Sequence, residues 1–345
     1  MKKKKIFLAA YVNHINAQNI NCRSIAYYLD KEKYDVKCLL LGNQNIPIIK
    51  GVGFFKVNQF GFKLSNIISF IRAVLWADVC YVPKHQSTPK IALRLARFLN
   101  KKIFTTIEGN MCDTSRGNMI NSFGTVNNMK DYFKLIPNIF GITSDIIDNA
   151  NCGIILNSSP LFLGVENKMF NDCNSKKELN QIVFIGSLIK RKRISEFLEL
   201  AANFPSLTFN IVGSGPEKKY LELKSTKNVI FHNILNHTQL AELLKSMDLH
   251  FLPSKSEGFP KVVLETAAAS VPSILYNTYG SNSWINNNEN GFLVSDFSDV
   301  KNIVNHLLQN PNIFHDSSVK VYQLAEKFNW KHLIKNWERV IENLR

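Results

Sequence analysis

Ser256-Glu257-Gly258-Phe259-Pro260-Lys261-Val262-Val263-Leu264-Glu265 sets two carboxylates on either side of a turn and a helix start, with seven residues between them. Before it, Met247-Asp248-Leu249-His250-Phe251-Leu252-Pro253 reads as a short buried strand, and Val262 to Ala269, rich in alanine, reads as a helix. Gly258 and Pro260 supply the turn chemistry, and Pro260 suits a first helical turn, where a backbone N–H has no partner to lose. The donors just after Glu257 would then point out of a helix N-terminus, an environment that attracts phosphate. Glu265, one or two turns further in, would repel an anion and suits instead a pair of sugar hydroxyls, such as those of ribose, as a bidentate acceptor. The spacing alone fits an ordinary helix with exposed glutamates at least as well, so the neighbouring segments have to decide.

Upstream, Ile182-Val183-Phe184-Ile185-Gly186-Ser187-Leu188-Ile189 is an apolar strand ending in glycine. Four consecutive cations, Lys190 to Arg193, and a helix from Ser195 to Ala202 follow it. A strand, a turn and a basic cluster make a diphosphate grip, although four adjacent cations also fit a solvated loop. Leu207 to Val212 is a second strand, ending in Gly213-Ser214-Gly215-Pro216, where two glycines permit close approach of the backbone to a ligand. A third strand, Asn228 to Asn233, comes next.

These motifs, in this order, resemble the signature of the retaining nucleotide-sugar glycosyltransferases of the GT-B fold, in particular family 4. The resemblance covers residues 180 to 335, with Asn290-Gly291-Phe292-Leu293-Val294 and Phe328-Asn329-Trp330 as later partial matches. It implies that Glu265 holds the ribose and that Glu257, with the backbone of Gly258, Phe259 and Pro260, meets the transferred sugar and the phosphates. It further implies that Lys192 contacts the diphosphate, that Gly186, Gly213 and Gly215 form the donor-site turns, and that Phe231 lies where the nucleobase is lined. Ser187 stands where the family has arginine, which leaves Arg191 and Arg193 as substitutes. Ser270, Ser273 and the Tyr279-Gly280-Ser281-Asn282 loop also depart from the pattern, and that loop commonly faces the diphosphate and sugar.

The first half alternates as well. Strands are expected at Ile6–Ala10, Val36–Leu41, Val79–Val82, Ile103–Thr106 and near Gly141–Ser144, with helices at Asn21–Leu29, Leu64–Trp76 and Pro89–Leu99. This order implies an α/β protein with helix-covered parallel sheets and ligands at the strands' carboxyl ends. The resemblance makes it a GT-B fold of two Rossmann-like domains facing across a cleft. Residues 1–165 would form the acceptor-binding domain and 166–320 the nucleotide-sugar domain, with 321–345 a C-terminal helix returning toward the first. Asn13 and His14 would lie at the acceptor side. Glu108 occupies the strand end where many relatives carry a histidine that touches the sugar, and is the third catalytic candidate beside Glu257 and Lys192.

The 345 residues suffice for two domains, and 45% hydrophobic with 20% charged residues describes a globular chain. No apolar run approaches the roughly 20 residues that cross a bilayer. Lys2 to Val12 mimics a signal peptide but lacks a cleavage site and reads better as a first strand. The cysteines at 22, 38, 80, 112, 152 and 173 show no close pairing and are expected to be reduced core thiols; no metal site is expected. Of the net charge of +15, residues 1–165 carry +12 (21 Lys and Arg against 9 Asp and Glu), and the rest +3. A basic acceptor domain suits an anionic acceptor or membrane surface. Lys90, Arg94, Arg97 and Lys101 would line one face of the helix from Pro89, opposite a packed face of Ile91, Leu95 and Phe98.

The resemblance therefore implies transfer, with retention, of a hexose-type sugar from a nucleoside diphosphate sugar to a glycan or lipid-linked hydroxyl. A UDP-sugar is the favoured co-substrate, without further cofactor. The setting would be bacterial surface polysaccharide synthesis in the cytoplasm, at the inner face of the membrane. A catalytically silent relative that binds a nucleotide sugar or a partner subunit is the alternative. Nucleic acid is not expected as a partner, since no basic-aromatic stripe or recognised motif accompanies the charge.

Overall fold

Short strands, most of them joined by a returning helix, pair in parallel throughout the described residues. The computed structural model describes residues 2–14, 16–43, 47–112, 119–170 and 175–344. Ile15, Cys173 and part of the expected linker, 171–174, lie outside them. Two compact units result, one of Met1–Leu163 with Trp330–Arg345 and one of Gly164–Asn329.

The first unit runs β1 (Lys4–Tyr11), α1 (Ala17–Tyr28), β2 (Tyr34–Leu41), β3 (Val52–Val57), α2 (Phe62–Trp76), β4 (Val79–Tyr81) and α3 (Lys90–Phe98). It continues through β5 (Lys102–Ile107), α4 (Ile120–Phe123), α5 (Val126–Phe133), β6 (Asn138–Gly141) and α6 (Ser144–Asp148). Its sheet has the order β3-β2-β1-β4-β5-β6. The second unit runs β7 (Gln181–Ile185), α7 (Ile194–Asn203), β8 (Thr208–Val212), α8 (Lys218–Lys224), β9 (Val229–His232), α9 (His237–Leu244), β10 (Leu249–Leu252) and α10 (Lys261–Ala268). β11 (Ser273–Tyr276), β12 (Phe292–Val294), α11 (Phe297–Gln309) and α12 (Pro311–Lys327) complete it, in the order β12-β11-β10-β7-β8-β9. The last helix, α13 (Trp330–Asn343), belongs to the first unit: Trp337 lies 5.1 Å from Tyr81, ring to ring, and its Nε1 donates to the carbonyl of Phe162 at 3.0 Å.

Both sheets reverse direction once. In the second unit the chain builds outward from β7 to β9, then crosses back to place β10 beside β7. In an open parallel sheet, the carboxyl ends of the two strands flanking such a reversal diverge and leave a crevice for ligand. Here those ends carry residues 186–193 and 253–260, and the first unit has the same arrangement between β1 and β4.

Four expectations from sequence change. β3 was not anticipated: Val52-Gly53-Phe54-Phe55 is half-exposed at the sheet edge and owes its conformation to pairing with β2. β6 ends at Gly141 because Thr143 then caps α6, its Oγ1 accepting from the N–H of Ile146. α3 packs through Ala92, Leu93 and Ala96, not through Ile91 and Phe98, which are exposed; small side chains let the helix sit close to the sheet. Cys112 and Cys152 are joined in a disulfide, brought to a Cα separation of 5.5 Å by loops distant in sequence, whereas Cys22, Cys38 and Cys80 are buried free thiols.

Candidate functional site

The turn after β7 is held by the turn after β8. Gly186 N–H donates to Val212 O at 3.0 Å, Leu188 N–H to Ser214 O at 2.9 Å, and Glu217 N–H to Leu188 O at 3.1 Å. Gly213, at φ +142°, and Gly215 are required by this zipper: a Cβ on the first would sit 2.0 Å from Gly186 O, and on the second 2.3 Å from Leu188 O. Their glycine character thus serves backbone against backbone, where the sequence had pointed to close approach to a ligand.

The β7 turn then makes one 3₁₀ turn, Lys190–Lys192, and Arg193 takes the left-handed conformation, φ +51°, before α7 starts. Lys192 Nζ lies 2.6 Å from Glu257 Oε1, with the two side chains only 13% and 10% exposed. Arg191 Nη1 stands 3.3 Å from the same oxygen and donates to the carbonyl of Ser256. Arg193 goes elsewhere. It pairs with Glu196 and lies over the ring of Tyr276, whose hydroxyl donates to Glu196 at 2.8 Å. Burial, then this carboxylate, pushes the Tyr276 phenol upward. Of the two cations named as substitutes for the arginine missing at exposed Ser187, it is therefore Arg191 that joins Lys192.

Glu257 is carried by the loop after β10. Ser254, fully buried, donates to Ser256 O at 3.1 Å, and Thr278 Oγ1 donates to Lys255 O at 2.7 Å. Phe259 anchors the loop's far end between Trp284 and Phe328, at ring separations of 5.2 and 5.1 Å. Pro260 is the N-cap of α10 rather than its first helical residue, with an extended ψ of 102°. Glu265, on α10, is 12% exposed and stands 3.5 Å from His237 Nε2 at the start of α9. Its hydrogen bond raises the His237 pKa above the ordinary value, against desolvation. Phe231 is half-buried on the edge strand β9.

Sequence reasoning passed over His237, and named Tyr279 only within a loop that departs from the family pattern, with no role of its own. His237 opens a helix with a full capping box, Asn236 and Gln239, which marks a helix start but not the partner across the sheet end. Tyr279 is buried, and its hydroxyl has no hydrogen-bond partner among the described residues. Its pKa is raised by burial and then by the charge of Glu257. Behind the pair, His250 on β10 bonds Ser273 Oγ through Nδ1 at 2.9 Å; burial and then the Lys192 charge push its pKa down to about 3.

The remaining candidates lie in the first unit. Glu108 follows β5 and accepts from Asn21 Nδ2 at 3.3 Å. Asn13 clips the loop to β2, donating to Leu41 O and accepting from Leu41 N–H, each at 2.9 Å. His14 is exposed, and its carbonyl accepts from Asn19 Nδ2 at 2.8 Å. At the β1–β4 reversal the sequence did not flag Lys84, whose ammonium lies 5.1 Å from the Tyr11 ring centre and 3.3 Å from Asn19 Oδ1. Burial lowers its pKa. Tyr11 OH donates to Asn66 Oδ1 at 2.7 Å.

Residues 165–339, just over half of the chain, match the family model described as Glycosyl transferases group 1. The chain belongs to that family. An uncharacterized glycosyltransferase of Haemophilus influenzae is 26% identical over 213 residues, 58% of this chain and 56% of that protein. Alpha-galactosylglucosyldiacylglycerol synthase of Streptococcus pneumoniae is 27% identical over 169 residues, 46% and 45% of the two chains. The chain thus spans about half the length of these curated relatives. Among solved structures, Anabaena HepE in complex with UDP and glucose superposes with a TM-score of 0.77 at 14% identity, covering 99% of this chain and 100% of HepE. The fold of this glycosyltransferase group 1 protein is accordingly GT-B, two parallel six-stranded sheets covered by helices.

Proposed function

We propose that this chain is a retaining glycosyltransferase that moves a hexose-type sugar from a nucleoside diphosphate sugar to a hydroxyl of a glycan or lipid-linked acceptor, in bacterial surface polysaccharide synthesis. The observation that carries this reading is the meeting of Lys192, Arg191 and Glu257 at the β7–β10 reversal. As the sugar–phosphate bond breaks, negative charge collects on the departing diphosphate, and cations already fixed in a water-poor place stabilise it without reorganising. Lys192 and Arg191 are such cations, and Glu257 balances them until a donor arrives, after which its carboxylate is available to sugar hydroxyls. Backbone donors from Gly258 onward, ahead of α10, add to the anion site. Glu265 takes the ribose hydroxyls, with Phe231 toward the base. The acceptor belongs to the first unit, with Lys84, Tyr11, Glu108 and His14 as its candidate contacts. UDP is favoured because the structurally similar HepE was solved with it, and a lipid-linked acceptor is in keeping with the name of the pneumococcal relative. The nucleotide sugar acts as co-substrate and no further cofactor enters.

Ser187 and the engagement of Arg193 with Glu196 favour, as second reading, a relative that binds the donor without turning it over. Thermal unfolding with UDP, GDP and ADP separates the cases, since a ligand at a hundred times its Kd adds about 2.7 kcal/mol to the native state. Stabilisation by UDP that is lost in Glu265→Ala, with release of UDP from a UDP-sugar that is lost in Lys192→Ala, is expected. Stabilisation without turnover of any UDP-sugar and acceptor offered would select the second reading, and no stabilisation by any nucleotide would refute both.

A further inference from the structure

We propose that His237 is a positioning residue for Glu265: as an imidazolium it holds this carboxylate ionised and open to the ribose, so that donor affinity falls when its proton leaves. The inference rests on the reading that Glu265 takes the ribose hydroxyls. Three carboxylates around the second unit's site are held in different ways. Glu257 faces Lys192 and Arg191, and Glu196 faces Arg193 and the Tyr276 hydroxyl. Lysine and arginine keep their charge throughout the neutral range. Glu265 sits on α10 between buried Leu264 and Thr266, is itself 12% exposed, and among the described residues has His237 as its ion-pair partner, Nε2 standing 3.5 Å from Oε1. Of the three carboxylates it is the one whose countercharge can come and go near neutral pH.

On its own account α9 is a poor place for a cation. His237 is the first residue of that helix, where the positive end of the helix dipole disfavours added positive charge. Its backbone is fixed by the capping box, Asn236 Oδ1 accepting from the N–H of Gln239 at 2.9 Å and Gln239 Oε1 from that of Asn236 at 3.0 Å. The ring of buried Phe170 lies edge-on to the imidazole, 6.5 Å away. Three charged groups act on the imidazole: Glu265 and Lys261 from α10, and Glu166 from the segment ahead of β7. Two acids against one base favour the proton, and the hydrogen bond with Glu265 outweighs burial in raising the His237 pKa. A ribose laid on Glu265 strips water from the carboxylate, and the donor's diphosphate brings further negative charge. Both make the complex hold the His237 proton more tightly than the free protein does. Donor binding and protonation of His237 then favour each other by the same factor.

UDP-glucose, whose esterified diphosphate does not titrate near neutrality, is the probe, and calorimetry measures its Kd for the full chain from about pH 6.5 to about pH 9. Affinity should weaken about tenfold as the pH rises through the His237 pKa, and level off beyond it. His237→Gln, which donates a hydrogen bond without charge, should show the weaker alkaline affinity of the wild type at every pH. His237→Lys, permanently charged, should carry the stronger affinity to the alkaline end. The His237 side chain is 41% exposed, so both variants should keep the wild-type unfolding profile. His232 and His250, whose pKa values burial lowers, titrate below this window. A flat wild-type Kd, or a pH dependence that survives in His237→Gln, would overturn the proposal alone where Glu265→Ala still abolishes binding. Failure of UDP-glucose to bind the wild type, or wild-type affinity in Glu265→Ala, would overturn the ribose assignment and this proposal with it.

Discussion

Replacing Gly213 by alanine should damage the second unit out of proportion to one methyl group. The added Cβ would lie 2.0 Å from the carbonyl oxygen of Gly186 and 3.0 Å from its carbon, backbone atoms of a neighbouring turn that no rotamer change can remove. The position also holds φ at +142°, where a residue with Cβ is strained by about 1–3 kcal/mol. Relief requires the β7 and β8 turns to part by more than ~1 Å, given ordinary contact distances. That movement breaks Gly186 N–H to Val212 O and Leu188 N–H to Ser214 O, each bond worth about 1 kcal/mol. Strain and lost bonds together amount to about 3–5 kcal/mol. Urea unfolding of the full chain measures this as a lower midpoint at unchanged slope. Gly109→Ala is the control, because a Cβ there meets nothing within 4 Å, and a change within about 1 kcal/mol is expected. The same displacement would carry Lys192 away from Glu257, so Gly213→Ala should also lose nucleotide-induced stabilisation at temperatures where it is still folded. A Gly213→Ala protein within about 1 kcal/mol of wild type would refute the zipper argument.

A double-mutant cycle of Lys192→Ala and Glu257→Gln should give a coupling of about 2 kcal/mol, between the exposed and fully buried extremes; below about 0.5 kcal/mol the pair would have to be solvated. Tyr279→Phe should leave stability within about 0.5 kcal/mol, because the hydroxyl has no partner to lose, so that any fall in transfer isolates a contact with substrate; a loss above ~1 kcal/mol would reveal a hydrogen bond. Acid should destabilise both units through buried neutral histidines. In the first, Thr105 Oγ1 donates to Val82 O and therefore accepts from His85 Nε2, and burial pushes the His85 pKa from 6.5 down to about 4. The unfolded chain then binds the extra proton first. His85's contribution is complete above pH ~6.5 and falls by up to about 1.4 kcal/mol per unit as the pH drops toward 4, with His250 acting likewise toward 3. Urea midpoints that decline equally in wild type and His85→Asn across this window would count against that assignment.

Strand–turn–helix order, the glycine turns and the Glu257–Glu265 spacing were legible in the chain because they depend on local chemistry: alternation of apolar runs, turn residues and helix starts. The parallel α/β architecture follows from that order alone, since parallel neighbours need a crossover between them. Edge strand β3 was not legible, because Val52–Val57 becomes a strand only when β2 offers it partners. Nor was the inward side of α3: Ile91-Leu95-Phe98 and Ala92-Leu93-Ala96 are both apolar stripes, and only the depth available above the sheet chooses between them. The Cys112–Cys152 bridge depends likewise on two loops meeting.

For the site, residue types were written in the sequence and partnerships were not. Four adjacent cations, Lys190 to Arg193, look alike in one dimension. In the folded chain the 3₁₀ turn and the left-handed Arg193 aim them apart, Lys192 and Arg191 to Glu257 and Arg193 to Glu196. Glu265 meets His237, and Tyr279 turns its hydroxyl into a buried place near Glu257, through contacts between segments tens of residues apart. Sequence determined which chemistry the chain carries, because composition and local periodicity are properties of neighbours along it. Which charges face each other was decided by the crossing of β10 back beside β7, a long-range pairing that no local pattern encodes.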